Sequence, residues 1–188
     1  MNVPLSDCHG QGYDNAANMS GKYNGTQAVL LEKNPLMLYS PCGCHSLNLC
    51  GNDSAKCCRE AITFFGTIQI IFVFFHSSPK RWEVMKGFLH GSLHGLCDTR
   101  WSQRVKAVKA FKKNQGGITK SLKACLNLNL QPKAFAEAEG AIKYVESFEC
   151  ILMSCIWYPI LEVIDTCNQI IQQRDATLDS EARNIEGK

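Results

Sequence analysis

The sequence predicts a mainly α-helical protein, and three observations support this fold class. From about residue 54 onward, apolar side chains recur at helical spacing over long stretches. Only residues 36–40, a short apolar run between two prolines, have the pattern of a buried strand. With 45% hydrophobic and 20% charged residues in 188, the composition is typical of a folded chain with a sizeable core, which excludes an intrinsically disordered protein.

The N-terminal part is predicted to hold short elements. Residues 1–12 have no regular pattern, and a short helix is expected over 13–19. A second helix over 26–33 should end ahead of Pro35, because the residue before a proline avoids the helical region. The strand at 36–40 would then have no partner, and a lone strand cannot satisfy the hydrogen bonds of its edges. The pattern therefore predicts a fragment that lacks the pairing strands.

The apolar stretch 61–75 is the one candidate for a membrane helix. It is shorter than the roughly 20 residues that a bilayer span requires, and Gln69 interrupts it. We therefore expect a core helix over 54–76 and no membrane association.

Capping residues and breakers define the remaining helices. Ser78 is expected to cap a helix whose first residue is Pro79, and the run Asn114-Gln-Gly-Gly117 is expected to break the following one. Pro159 can kink the last helix. The predicted helices cover residues 45–51, 80–90, 100–113, 118–130, 133–148 and 150–174.

Charge is distributed unevenly along the chain. Residues 1–79 have a net charge of −1, residues 80–136 carry 12 basic and 2 acidic side chains, and residues 137–188 have a net charge of −6. A basic middle segment is typical of a face that binds a polyanion. The alternative is a helical protein whose solvent-exposed faces happen to distribute the charges in the same way. The eleven cysteines are odd in number and no signal peptide is recognisable, so we expect reduced thiols in an intracellular compartment.

Four stretches carry a family resemblance. They are the glycine-flanked run 10–21 (GQGYDNAANMSG), the run 41–49 (PCGCHSLNL), the run 98–102 (DTRWS) and the run 161–172 (LEVIDTCNQIIQ). In this order they resemble the transposase domain of the hAT superfamily, and most closely its domesticated copies in MYM-type zinc finger proteins. The resemblance implies an incomplete ribonuclease H-like α/β core over 1–97, followed by a segment of a helical insertion domain over 98–188.

The resemblance also implies a chemistry. In the intact family domain, three acids hold Mg²⁺ ions that activate water or a 3′-hydroxyl for cleavage and transfer of DNA strands. By position Asp14 matches the second acid, as a catalytic residue and a metal ligand. The first acid lies on an earlier strand, and the third is a glutamate beyond the helical insertion. Since one acid of three does not hold two metals, we expect no stable Mg²⁺ site, no catalysis, residual DNA binding and a nuclear location. From the residues alone, Asp14 also suits a capping acid at a helix start.

Residues 42–45 contain the family's Cys-x-x-His pattern in Cys42 and His45. With Cys44 they offer sulfur and nitrogen ligands for zinc, but the cysteines lack the usual two-residue separation. The alternatives are that the motif stabilises a strand-to-helix turn or lies near the path of the nucleic acid.

The basic helix predicted after Asp98 is the candidate DNA contact. An exposed tryptophan can stack on an unpaired base, and lysine and arginine can contact phosphates. At 100° per residue we expect these charges to flank an apolar seam on both sides. The candidate residues are Arg100, Trp101, Arg104, Lys106, Lys109, Lys112 and Lys113. The alternatives are a core tryptophan with solvated lysines and, for the whole chain, a protein-interaction or dimerisation module formed by helices 133–174.

Overall fold

The computed structural model describes residues 4–97 and 101–172, and over this part of the chain it is mainly helical, with 70% helix and 5% strand. The predicted fold class is confirmed at this level. A single 3₁₀ turn, Leu5–Asp7, precedes the regular elements. The strands are β1 (Gly10–Tyr13) and β2 (Leu38–Pro41), and the helices are α1 (Ala17–Ser20), α2 (Thr26–Lys33), α3 (Gly43–Ser54), α4 (Arg59–His76), α5 (Pro79–Lys86), α6 (Trp101–Leu126), α7 (Pro132–Val145) and α8 (Phe148–Ile171).

The described residues form two compact units. The smaller unit comprises residues 4–50 with 167–172 and contains both strands, and the larger helical unit comprises 51–97 with 101–166. The family resemblance divides the chain between residues 97 and 98. That boundary separates two segments by ancestry and not by compactness, so it stays a prediction.

The two strands pair with each other in parallel. Gly10 lies opposite Leu38, and Tyr13 lies opposite Pro41. The expectations of an irregular segment up to residue 12 and of an unpartnered strand were therefore wrong, and the argument for a fragment that rested on them fails. Gly-Gln-Gly has low strand propensity and shows no alternation, so its own pattern could not reveal a strand.

A buried side chain fixes the N-terminal segment beside β2. Asn34 is 8% exposed, and its Nδ2 donates hydrogen bonds to the carbonyl oxygens of Leu5 at 3.0 Å and Cys8 at 2.9 Å. These contacts span 26 to 29 residues of sequence. The strand character of residues 10–13 therefore depends on a contact that local periodicity does not encode.

Helix α4 forms the centre of the helical unit and packs against α5, α6 and α7. Its inner residues are almost completely buried, as the sequence predicts for a core helix. Phe64 meets Phe111 edge to face with ring centroids 6.1 Å apart, and Phe65 meets Trp157 in the same way at 5.0 Å. The buried residues of α4 are Ala61, Phe64, Phe65, Ile68, Ile71, Phe74 and Phe75.

Helix α6 runs without interruption through the predicted break at 114–117. A Cβ on Gly117 would lie 2.5 Å from the carbonyl oxygen of Phe88, so glycine there permits a close backbone approach. Asn114 donates to the carbonyl of Ala110 at 2.9 Å and accepts the N–H of His90 at 3.0 Å. Asn114 and Gly117, two of the residues that suggested a loop, instead hold α6 against the segment that follows α5.

The other helix ends agree with their capping chemistry to different degrees. The Ser78 hydroxyl accepts the N–H of Arg81, and Pro79 is the first residue of α5, as predicted. The helix ends at Lys86, four residues before the predicted end. Helix α8 continues through Pro159, and it is the one described helix that is long and apolar enough by itself to cross a bilayer.

Candidate nucleic-acid interface and the Asp14 cleft

Asp14 follows β1 directly, at the carboxyl end of the strand. Its Oδ1 accepts the N–H of Ala16 at 3.1 Å, and the residue is exposed. This hydrogen bond closes a local turn ahead of α1, whose N-cap is Ala16. Asp14 therefore forms a turn and is not an N-cap.

A cleft of about 420 Å³ opens at this edge of the small sheet. The carboxyl ends of parallel strands are the usual location of ligand sites in open α/β sheets. Here the ends of β1 and β2 and the start of α3 contribute most of the surface. The lining residues are Gly12, Tyr13, Asp14, Ser40, Pro41, Cys42, Gly43, Cys44 and Ile171.

The Cys42–His45 motif forms the passage from β2 into α3. The backbone N–H of Cys42 donates to the carbonyl of Tyr13 at 2.8 Å, which continues the β1–β2 pairing. The carbonyl of Cys42 accepts from both the N–H and the Oγ of Ser46, at 3.0 and 3.1 Å. Asn15 then donates to the Ser46 Oγ at 3.0 Å, so the Asp14 turn and the start of α3 are joined. These contacts support the interpretation of the motif as a turn.

The structure does not gather metal ligands around Asp14. Within residues 4–97 and 101–172, no group of three His, Cys, Asp or Glu side chains is placed to hold a metal ion. Cys42, Cys44 and His45, the candidate zinc ligands, lie in this part of the chain and form no such group. In the described chain Asp14 thus lacks the carboxylates with which a two-metal nuclease site is built.

The exposed lysines of α6 share one face of the helix. Counted at 100° per residue they fall within about 120°, and over 17 residues they extend along about 25 Å. Val105, Val108 and Phe111 are at most 7% exposed on the buried side. The expectation that the charges flank the apolar seam on both sides was therefore wrong. The lysine face consists of Lys106, Lys109, Lys112, Lys113, Lys120 and Lys123.

Arg104 belongs to the core and not to this face. It is 5% exposed, and its guanidinium carbon lies 5.3 Å from the centroid of the Phe65 ring. Its assignment as a phosphate contact is corrected, because a buried guanidinium cannot approach a DNA backbone without leaving its packing site. Arg100 and the side chain of Trp101 lie outside the described residues, so their assignments stay predictions.

Two members of the lysine face have local partners. The Lys112 ammonium lies 4.7 Å from the Tyr158 ring centroid, and Lys123 forms a 2.5 Å ion pair with Glu146. No described carboxylate forms a salt bridge with Lys106, Lys109, Lys113 or Lys120.

Sequence reasoning missed Lys120 and Lys123 because it ended the helix at residue 113. A signal was present, since Lys106, Lys113 and Lys120 recur every seven residues, which is close to two helical turns. Recognising that repeat would have favoured a continuous helix with one basic face.

The buried thiols of the helical unit are poor nucleophiles. Burial raises the pKa of Cys150 to about 11, and it raises the pKa of Cys125 as well. Thiol nucleophilicity requires the thiolate, so neither residue is reactive near neutral pH. Tyr144 has its pKa raised by burial and by the neighbouring Cys150, and it lines a polar pocket of about 390 Å³ with Arg59 and Glu149.

Comparison with known proteins finds no matching family model, no matching curated protein and no matching solved structure. The resemblance to hAT transposases therefore rests on the sequence motifs alone.

Proposed function

We propose that this chain is a transposase-derived segment of the hAT type that binds the DNA backbone and does not cleave it. The observation that carries the proposal is the lysine face of α6. Four of its six ammonium groups have neither a described salt bridge nor a described aromatic contact, and they extend over about 21 Å from Lys106 to Lys120. Duplex DNA presents one phosphate charge per about 1.7 Å of its axis, so one face of this length meets several phosphates.

The face suits contacts to phosphates rather than to bases. Lysine is a flexible point charge without the planar fork with which arginine recognises guanine. Arg104, the arginine within α6, is buried. Binding is therefore expected to be weak, indifferent to sequence and steeply dependent on salt.

The transposase origin of the segment is supported by the order of its motifs and by the location of Asp14. An acid at the carboxyl end of a parallel strand, beside a cleft, is the arrangement expected of one member of a metal-binding acid set. We propose that the other acids of this set are missing from the chain, so that Mg²⁺ is not held and catalysis is lost. A nuclear location follows from the same origin.

Fluorescence anisotropy with a labelled duplex at several salt concentrations tests the proposal. The triple variant Lys106→Gln, Lys109→Gln, Lys113→Gln should lower the slope of log K against log salt by about 2.7, since each phosphate contact contributes about 0.9.

The matched control replaces three exposed lysines elsewhere in the chain with glutamine, namely Lys22, Lys33 and Lys56. It makes the same change in net charge, so its slope should stay near that of the unmodified chain. No binding at low salt, or an equal loss of slope in both variants, would refute a DNA-binding role for the lysine face.

A further inference from the structure

The outer side of α8 is an apolar surface that the described chain leaves uncovered. Phe148 is 76% exposed, Ile156 41% and Val163 64%, whereas Trp157 and Leu161 on the opposite side are buried at 6% and 0%. Counted at 100° per residue, the exposed residues fall within about 100° over four turns. We call this surface the α8 outer face, and its residues are Phe148, Leu152, Cys155, Ile156, Pro159 and Val163.

The charges beside the α8 outer face indicate which kind of molecule can bind it. Glu149 and Glu162 lie on its two flanks, and residues 148–171 contain no lysine or arginine. A helix that lies on a membrane surface carries basic residues on its polar side, which attract anionic lipid. The acidic flanks oppose both such a surface and a nucleic acid. The opposite side of α8 is packed into the helical core at Trp157 and Leu161, which does not suit a helix surrounded by lipid, so we take an apolar protein surface as the occupant.

The arrangement along the helix is self-complementary. Cys155 and Ile156 lie at the midpoint of 148–163, with the larger aromatic and aliphatic side chains on either side. In an antiparallel pair of identical helices, each residue lies level with the position that mirrors it about the centre, so Phe148 lies level with Val163, and Cys155 and Ile156 of both copies meet beside the two-fold axis. Closed two-fold dimers are the commonest form of soluble homo-oligomer.

The exposed area is sufficient for such a dimer. Side chains of this size present on the order of 150–200 Å² when fully exposed. Scaled by the observed exposures, and with Ile151 and Ile160 at the margins, each copy offers about 500–700 Å². Two copies bury about 1,000–1,400 Å², which reaches the lower part of the range of specific interfaces.

We propose that the α8 outer face binds the same face of a second copy of this chain, in an antiparallel two-fold dimer centred on Cys155 and Ile156. Helices packed in this way lie about 8–10 Å apart, so the two Cys155 thiols come within reach of a short bismaleimide. The two surfaces share no residue, although Lys112 of the lysine face lies over Tyr158 of α8, and dimerisation neither requires nor excludes DNA binding.

Sedimentation equilibrium on the full chain tests the dimer. Ile156→Glu places two carboxylates at the centre and should raise the dimer dissociation constant by about 100-fold, or two tenfold steps of 1.4 kcal/mol. Val73→Glu is the matched control, because Val73 is 49% exposed on α4 and outside the face. Its dissociation constant should stay within about threefold of the unmodified value.

Cross-linking then locates the two-fold axis. Bismaleimide should give a covalent dimer that Cys155→Ser abolishes, although other exposed cysteines remain, among them Cys50, Cys57 and Cys58. A chain that stays monomeric up to about 1 mM, a dimer insensitive to Ile156→Glu, or a cross-link that survives Cys155→Ser would each overturn the proposal.

Discussion

The adjacent glycines of α6 allow a sharp test of the tertiary structure. Both lie inside a helix, where replacing glycine with alanine stabilises by about 1 kcal/mol when nothing obstructs the methyl group. Gly116 is exposed and a Cβ built on it meets no atom within 4 Å, so Gly116→Ala should raise the free energy of unfolding by about 0.5–1 kcal/mol.

Gly117→Ala should act in the opposite direction. The new methyl group would lie 2.5 Å from the carbonyl oxygen of Phe88 and 3.4 Å from Cδ1 of Leu89. The first neighbour is backbone, so relief requires α6 to move away from the segment after α5. Overpacking of this kind costs about 1–3 kcal/mol, which offsets or exceeds the gain of about 0.5–1 kcal/mol in helix propensity and leaves a net loss of up to about 2.5 kcal/mol.

Urea denaturation followed by far-UV circular dichroism measures both variants. The two variants have the same amino-acid composition and differ only in which glycine is replaced. The difference between their free energies of unfolding therefore isolates the contact with Phe88. An equal stabilisation by the two variants would show that α6 does not approach Phe88 and would refute the packing described for this helix.

Four further outcomes are expected. Arg104→Ala should lower the free energy of unfolding by about 1–3 kcal/mol, since the buried side chain packs on Phe65, while the salt dependence of DNA binding stays constant; a changed salt slope would return Arg104 to the DNA interface. Mg²⁺ or Mn²⁺ should produce no nicking of a duplex, and cleavage that Asp14→Ala abolishes would contradict the missing acid set. The pKa of Cys150 is raised to about 11 in the folded state, from 9.0, so the folded state favours the neutral thiol. Its contribution to the free energy of unfolding is therefore full below pH 9 and falls as the pH rises towards 11. Cys150→Ala should flatten this part of the profile of stability against pH. The chain should also bind a hydrophobic dye, and dye binding should fall at protein concentrations where the dimer forms.

The local sequence was sufficient where a helix depends on its own residues. The Ser78 cap and the Pro79 start of α5 followed from side-chain chemistry within three residues. Helix 26–33 was predicted with its observed bounds, because Pro35 imposes its end on the residues before it. The core role of 61–75 followed from its length and composition.

The candidate site was only partly predictable. The position of Asp14 directly after β1 could not be predicted from the sequence, because β1 itself could not be predicted. The exposed lysines at 106, 109, 112 and 113 were identified from charge alone, but Arg104 was grouped with them. A basic side chain near an aromatic core is assigned to the surface by pattern, and only the packing on Phe65 shows that it is buried.

The amino-acid sequence by itself determined that this protein is mainly helical, which helices bury their apolar sides, and where proline and serine start or end them. These properties depend on interactions within one or two turns. Tertiary structure alone decided that Gly10–Tyr13 is a strand, that α6 continues through Gly117, and that Arg104 is buried against Phe65. Each of these depends on a contact between residues distant in the chain, such as the Asn34 hydrogen bonds to residues 5 and 8 or the approach of Phe88 to Gly117. A glycine chosen for such a contact looks the same in the sequence as one chosen for a turn.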